Sequence, residues 1–281
     1  MRLDLGSFLL QWAAGGLLFG WVTTRRREVS LGYGWTFRIT FGLLALGSAL
    51  LFAGDGEVSS AVAAGLVAAA TGVALAVSVA RRAAGVSGRE ELRARRRARV
   101  AAMVGRADDG EPTAVGPEFP PGLDLVAPVI GFAALFIVAP VVGGPYLLTL
   151  ARLVAGALLV GAVSDAMLLG HWYLVQPGLR RDPVNELVTW TARIWPFELL
   201  VYLVPTGMVQ VWTGAVDDGY HGLLGWIWGV CAVTTIGLVL LTRAALRERS
   251  YSAVMAATGL LYLAILTAFG MDLLPRAVLG N

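Results

Sequence analysis

A chain of 281 residues that is 57% hydrophobic, only 15% charged and has a mean hydropathy of +0.71 has too little polar surface to cover itself in water. Soluble domains carry roughly 25% charged residues, so lipid is the solvent this composition calls for. The net charge of +3 lies in arginine-rich connections, which reads as a topology signal and not as a nucleic-acid surface.

The apolar runs are continuous and rich in Ala, Leu, Val and Gly, which excludes a porin-like barrel, whose strands alternate over about 10 residues. A helix needs about 20 apolar residues to cross a bilayer. On that rule the expected spans are 7–23, 36–53, 59–80, 124–142, 146–175, 188–212, 222–242 and 251–271. The fold class is therefore all-α: a polytopic membrane protein with eight transmembrane helices. The single cysteine, Cys231, lies inside an apolar run, so an internal disulfide and a CxxC redox or zinc site are excluded.

In chain order, the first run from Phe8 to Val22 is followed by Arg25-Arg26-Arg27, the reverse of a signal peptide's charge order, and reads as a retained helix. Residues 1–80 hold the first three helices of a first half. Residues 81–123 form the one long connection. Its stretch from Glu90 to Val100, dense in Arg, is an expected amphipathic basic helix suited to anionic lipid, and Asp108 to Pro121 is an expected loop. Residues 124–142 are helix four, closed by the turn signal Gly143-Gly144-Pro145, and 143–281 hold helices five to eight.

Basic and non-basic connections alternate. Those with Arg25–Arg27, Arg81 to Arg106, Arg180-Arg181 and Arg243 to Arg249 are basic; those with Asp55 and Glu57, Gly143-Gly144 and Asp217-Asp218 have no Lys or Arg. The positive-inside rule places the basic set, including the long loop, in the cytoplasm, and both termini outside a plasma or bacterial inner membrane.

A short repeat links the halves. Helix one ends in Leu17-Leu18-Phe19-Gly20-Trp21 and is followed by Trp35-Thr36-Phe37-Arg38-Ile39. Helix five ends in Leu168-Leu169-Gly170-His171-Trp172 and is followed by Trp190-Thr191-Ala192-Arg193-Ile194. The shared W-T-x-R-I implies two parallel four-helix repeats. Arg38 and Arg193, common to both, read as architectural arginines that snorkel to phosphate or cap helix carbonyls. His171, Asp165 and Glu198 face apolar residues of the first half in this alignment, which singles them out.

Asp165 and Glu198 are the candidate proton-handling residues. Each is expected about ten residues from the cytoplasmic end of its helix, roughly 15 Å deep, where a carboxylate costs about 2.5–3.5 kcal/mol unless it is paired or watered. His171, Arg193, Trp195 and Ser164 are the candidate ligand-binding set: His171 for a quinone carbonyl, with Ser164 on the same helix face, Arg193 for the field and Trp195 for stacking. Pro196 and Pro205-Thr206-Gly207 break helix six and make it a candidate gate.

No catalytic residue and no metal set is indicated, because DDxxD, HExxH, GxSxG and Walker A patterns are absent. The only histidines, His171 and His221, fall at opposite membrane faces, which argues against bis-histidine haem. Three readings stay open: a redox-type membrane subunit binding a quinone or similar lipophilic ligand near helices five and six; a small proton-coupled transporter; and a non-catalytic scaffold or assembly factor. The bilayer is the expected partner, other membrane subunits are candidates, and nucleic acid is not.

Overall fold

The computed structural model describes residues 3–88, 116–176, 179–204, 207–248 and 250–280, with isolated positions between 91 and 103. The expected basic helix over 90–100 lies mostly outside this set, as do most of the expected loop from Asp108, Pro205-Thr206 and Arg249. The described residues are helical, with no strand among them.

The long helices are α1 (Leu5–Thr24), α2 (Leu31–Gly54), α3 (Val58–Ala80), α4 (Val126–Val142), α5 (Tyr146–Val175), α6 (Asp182–Leu203), α7 (Leu223–Ala245) and α8 (Tyr251–Leu279). A 3-10 stretch, Pro121–Leu125, leads into α4, and a single turn of helix, Met208–Trp212, follows α6. Seven of these elements are long and apolar enough to cross a bilayer, α4 together with its 3-10 lead. α6 is outside that set because Glu186, Arg193 and Glu198 interrupt it. The chain is a multi-pass helical membrane protein.

Local chemistry sets the helix ends. Asp4 caps α1 by accepting from the Ser7 N–H at 2.5 Å, and Ser250 caps α8 by accepting from Ala253 N–H at 3.3 Å. α6 starts six residues earlier than the apolar pattern predicts, because Asp182-Pro183 fits a first turn: proline loses no needed N–H there, and the acid faces the helix's positive end. α6 also ends at Leu203, not at 212. Val204, which precedes Pro205, is extended (φ −133°, ψ 155°), the backbone that a following proline favours. α8 runs eight residues past the expected end, to Leu279, because Asp272 and Arg276 are buried inside the protein and not left at its edge.

The long helices form two four-membered rings. α1 and α3 each pack against α2 and α4; α5 and α7 each pack against α6 and α8. The rings meet along α1 and α5. Their closest approach is Gly15 against Gly161: a Cβ on Gly15 would lie 1.7 Å from the Ala157 carbonyl oxygen, and one on Gly161 2.2 Å from the Gly15 carbonyl carbon. Only glycine lets the backbones meet so closely. Large apolar side chains such as Leu43, Leu50, Leu147, Phe197 and Leu266 stay exposed on the outer surface, as a lipid-facing surface requires.

The two W-T-x-R-I copies stand in different surroundings. Arg38 is buried and forks onto Asp124, Nε to Oδ1 at 2.7 Å and Nη2 to Oδ2 at 2.6 Å. Trp35 donates to Ser78 Oγ at 3.1 Å. Arg193 is exposed and lies 5.8 Å from the Trp190 ring centroid. Arg38 therefore neither snorkels nor caps carbonyls; an acid from the lead of α4 neutralises it.

Candidate functional site

Two buried polar clusters occupy the region where the rings meet. The first lies on the side of the arginine-rich connections. Asp165, fully buried on α5, accepts a hydrogen bond from the Tyr33 hydroxyl of α2 at 3.0 Å, while its Oδ2 has no partner. Ser164, next in the chain, donates to its own helix at Val160 O and accepts from Trp12 Nε1 of α1 at 2.8 Å. α2 thus bonds the acid in the middle of α5, and α1 bonds its neighbour.

The second cluster lies toward the opposite face and is the larger. Asp272 of α8 accepts from Gln11 Nε2 of α1 at 3.1 Å, from the Tyr202 hydroxyl of α6 at 3.1 Å and from Arg276 Nη2 at 2.9 Å. Arg276 also donates to Gln11 Oε1, and its Nε and Nη1 form no hydrogen bond among the described residues. Arg152 of α5 donates to the Val201 carbonyl of α6 at 2.8 Å and lies over the Tyr202 ring at 5.1 Å. Pro205, four residues beyond Val201, has no N–H to offer that carbonyl, so Arg152 meets an acceptor left open by the sequence. Gly156 leaves room for the whole group: a Cβ there would fall 2.3 Å from Gln11 Nε2 and 2.5 Å from Asp272 Oδ1.

Glu198 completes this cluster. It is fully buried, and neither carboxyl oxygen accepts a hydrogen bond from a donor group among the described residues. Its strongest charged neighbours are Asp272, then Arg276 and Arg152, and the Asp272 carboxyl is within its hydrogen-bonding reach. Two carboxylates are both acceptors; a bond between them forms only when one carries a proton. The cluster thus holds two acids and two guanidinium groups with no exposed charged atom at its centre.

Asp165 and Glu198 belong to separate clusters and do not stand at one level. Because α6 begins at Asp182, Glu198 is sixteen residues along it, roughly 24 Å from its arginine-rich end, whereas Asp165 is ten residues, roughly 15 Å, from the corresponding end of α5. The residues expected to bind one ligand are dispersed. His171 is exposed, with Nδ1 3.4 Å from the Tyr262 hydroxyl. Trp195 donates to the Ala232 carbonyl of α7 at 3.0 Å. Arg193 lies on the outer surface beside Trp190, and Ser164 is closed off by Trp12. These four side chains engage four different partners.

Sequence reasoning missed Gln11, Arg152, Tyr202, Asp272 and Arg276. One signal was available: Asp272 and Arg276 are spaced i, i+4 in an otherwise apolar stretch, an ion-pair spacing on a helix face. Two cavities lie at the arginine-rich face. A narrow one of about 40 Å³ is bordered by Arg27, Gly34, Arg38, Phe119 and Asp124, and an open one of about 340 Å³ by Arg26, Asn185, Thr189, Trp190 and Arg193, with Asp182 and Glu186. Neither is lined by Asp165 or Glu198.

The helices and their buried charges define an integral membrane protein of the multi-pass α-helical class. Comparison of the chain with protein families, curated proteins and solved structures finds no match.

Proposed function

We propose that this protein is a proton-coupled membrane transporter in which Glu198 and Asp272 carry the coupling proton. The observation behind this reading is the orphaned Glu198 carboxyl, buried beside a second acid whose own oxygens are already taken by Gln11, Tyr202 and Arg276. Ionisable groups inside a membrane protein are costly and mark ion or proton paths. A plain scaffold would satisfy its buried acids, whereas here Glu198 and one oxygen of Asp165 are left open. The Tyr33–Asp165 pair supplies a second protonatable station on the arginine-rich side. Against quinone binding stands the dispersal of His171, Ser164, Arg193 and Trp195.

α6 is the eighth span in this reading, and eight crossings put both termini on one side. Gln11, near the start of α1, bonds Asp272 and Arg276 near the end of α8, which supports that arrangement. The equivalent packing of the two rings supports a duplicated four-helix unit. The positive-inside rule, applied to the arginine-rich connections, supports a cytoplasmic position for that face and termini outside a plasma or inner membrane.

The test is an infrared pH titration of the protein reconstituted in vesicles, followed by a screen of solute pools with trapped pyranine. The expected result is a protonated-carboxyl band that disappears in Glu198→Gln and shifts in Asp272→Asn, together with a solute pool that moves protons in the wild type only. A titration in which neither substitution changes the carboxyl region, with no pool moving protons, refutes the reading.

A further inference from the structure

α6 exposes a stripe with the alternating three- and four-residue spacing of one helix face: Trp190, Arg193, Phe197, Leu200 and Val204. Four of these are suited to acyl chains; the fifth is a guanidinium. Among the described residues Arg193 forms no ion pair, and its guanidinium lies 5.8 Å from the centroid of the Trp190 ring. A bare charge on a lipid-facing stripe is unfavourable unless its head reaches an anion at the interface.

The open cavity beside it supplies the place. It runs from Arg193 past Trp190 and Thr189 to Asn185 and Arg26, and its volume of about 340 Å³ is in the range of small-molecule sites, roughly 300–1,000 Å³. Its two acids are already neutralised: Glu186 by Arg25 at 2.5 Å and Arg26 at 3.0 Å, and Asp182 by Arg180 at 2.5 Å. The lining itself holds two arginines, Arg26 and Arg193, against two acids; with Arg25 and Arg180, which stand outside the lining as ion partners of those acids, the neighbourhood carries two more arginines than acids. Trp190 lies beside Phe19 of α1, at a ring-centroid distance of 6.4 Å, and forms the wall between cavity and lipid.

We propose that this cavity binds the phosphate headgroup of an anionic phospholipid, with Arg193 and Arg26 as its phosphate donors and the acyl chains lying along Phe197, Leu200 and Val204. The spacing of the stripe requires a lipid: a free phosphate would use the arginines and leave the apolar groove empty. Asn185 and Thr189, one helical turn apart, line the cavity on the side of Arg193 away from the chains, where the polar substituent of the headgroup would lie.

Native mass spectrometry of the full chain, released from micelles doped with phosphatidylglycerol, phosphatidylcholine or inorganic phosphate, tests this. Near a membrane surface one arginine is worth about 1 kcal/mol toward anionic lipid, which is roughly a fivefold change in affinity. The wild type is expected to retain phosphatidylglycerol over phosphatidylcholine, Arg193→Gln to weaken retention about fivefold, and Arg193→Lys to restore most of it. Arg243→Gln, at another exposed arginine near the end of α7, should leave retention unchanged. Arg193 is exposed, so its substitution leaves the fold standing, and an unshifted melting temperature verifies that. Equal retention in Arg193→Gln overturns the proposal, as does equal loss in Arg243→Gln. Displacement of the lipid by inorganic phosphate at equal concentration also overturns it by marking a soluble-anion site.

Discussion

Deleting one partner of the Arg38–Asp124 pair should be far more damaging than deleting both. The two side chains are 3% and 2% exposed, and the fork between them uses Nε and Nη2 against both carboxyl oxygens. In Asp124→Ala the guanidinium keeps only Ser78 Oγ at 3.3 Å and the faces of Phe37 and Phe119 at 5.0 and 4.4 Å. In Arg38→Met the carboxylate keeps only Thr24 Oγ1 at 3.4 Å. Stranding a buried charge costs about 3–5 kcal/mol, while replacing a buried pair by apolar side chains of similar volume is close to neutral. With an unfolding entropy of about 2.1 cal/mol/K per residue, the chain loses about 0.6 kcal/mol per kelvin near its midpoint, so each single substitution should lower Tm by about 5–8 °C.

Arg38→Met/Asp124→Leu should recover most of that loss. Tryptophan fluorescence melts in micelles at a fixed scan rate read all four members of the cycle, because nine tryptophans report on both rings. Two single variants within about 1 °C of the wild type would show that the pair is watered and its burial argument wrong. A double variant less stable than either single would show that the fork itself, and not its neutralisation, holds the 3-10 lead of α4 to α2.

Two further outcomes check the packing and the outer loop. Gly15→Ala should lower Tm by several degrees, because its Cβ would meet the Ala157 carbonyl oxygen at 1.7 Å and overpacking costs about 1–3 kcal/mol or more; Gly65→Ala, with open space around it, should be neutral or stabilising in the same melt. Asp218 is partly withdrawn from water, which opposes ionisation, but the N–H groups of Tyr220, Gly222 and Leu224 bond its carboxylate at 2.8–2.9 Å and hold its pKa below the usual value. A depressed folded-state pKa stabilises above the unfolded value near pH 4 and is lost as pH falls through the folded one, so wild-type Tm should decline below about pH 4. Asp218→Ala should melt lower at neutral pH and lack that part of the acid decline; a parallel acid decline in both proteins would assign the loss to other groups.

Span positions were legible where apolar sequence was unbroken: α3 and α5 have the bounds that hydropathy predicts, within a residue. α6 was misplaced because Glu186, Arg193 and Glu198 hide its start from an apolarity rule, although Asp182-Pro183 announces that start by cap chemistry. This shift of six residues moved Glu198 away from the level of Asp165. Asp165 and Glu198 themselves stood out as acids inside apolar runs, and both are fully buried. Their partners were not legible. Gln11 and Asp272 are 261 residues apart, and Tyr33 and Asp165 are 132 apart, contacts that depend on helix rotation and ring closure, which periodicity alone does not give. The W-T-x-R-I repeat was readable, but its environment was not, because Arg38 owes its burial to Asp124 in the lead of α4. The connection leading into α8 has its acid at Glu248, and among the described residues no ion pair joins it to Arg193.

The asymmetry between the rings follows from this. In the first ring the arginine is internally neutralised, so α1–α4 close around an apolar interior and α1 is free to turn its polar residues outward, toward α5. Gln11 and Trp12 lie on successive positions of α1, and they touch the two clusters: Gln11 bonds Asp272 and Arg276, and Trp12 bonds Ser164, the neighbour of Asp165. Between them and the arginine-rich end lies the Gly15–Gly161 crossing, where the two backbones come close enough that a Cβ on either glycine would collide with the other helix. α1 and α5 both reach the two clusters: α5 carries Asp165 and Arg152, and α1 bonds the clusters through Gln11 and Trp12. A displacement of α1 along α5 would stretch the Gln11 and Trp12 bonds together.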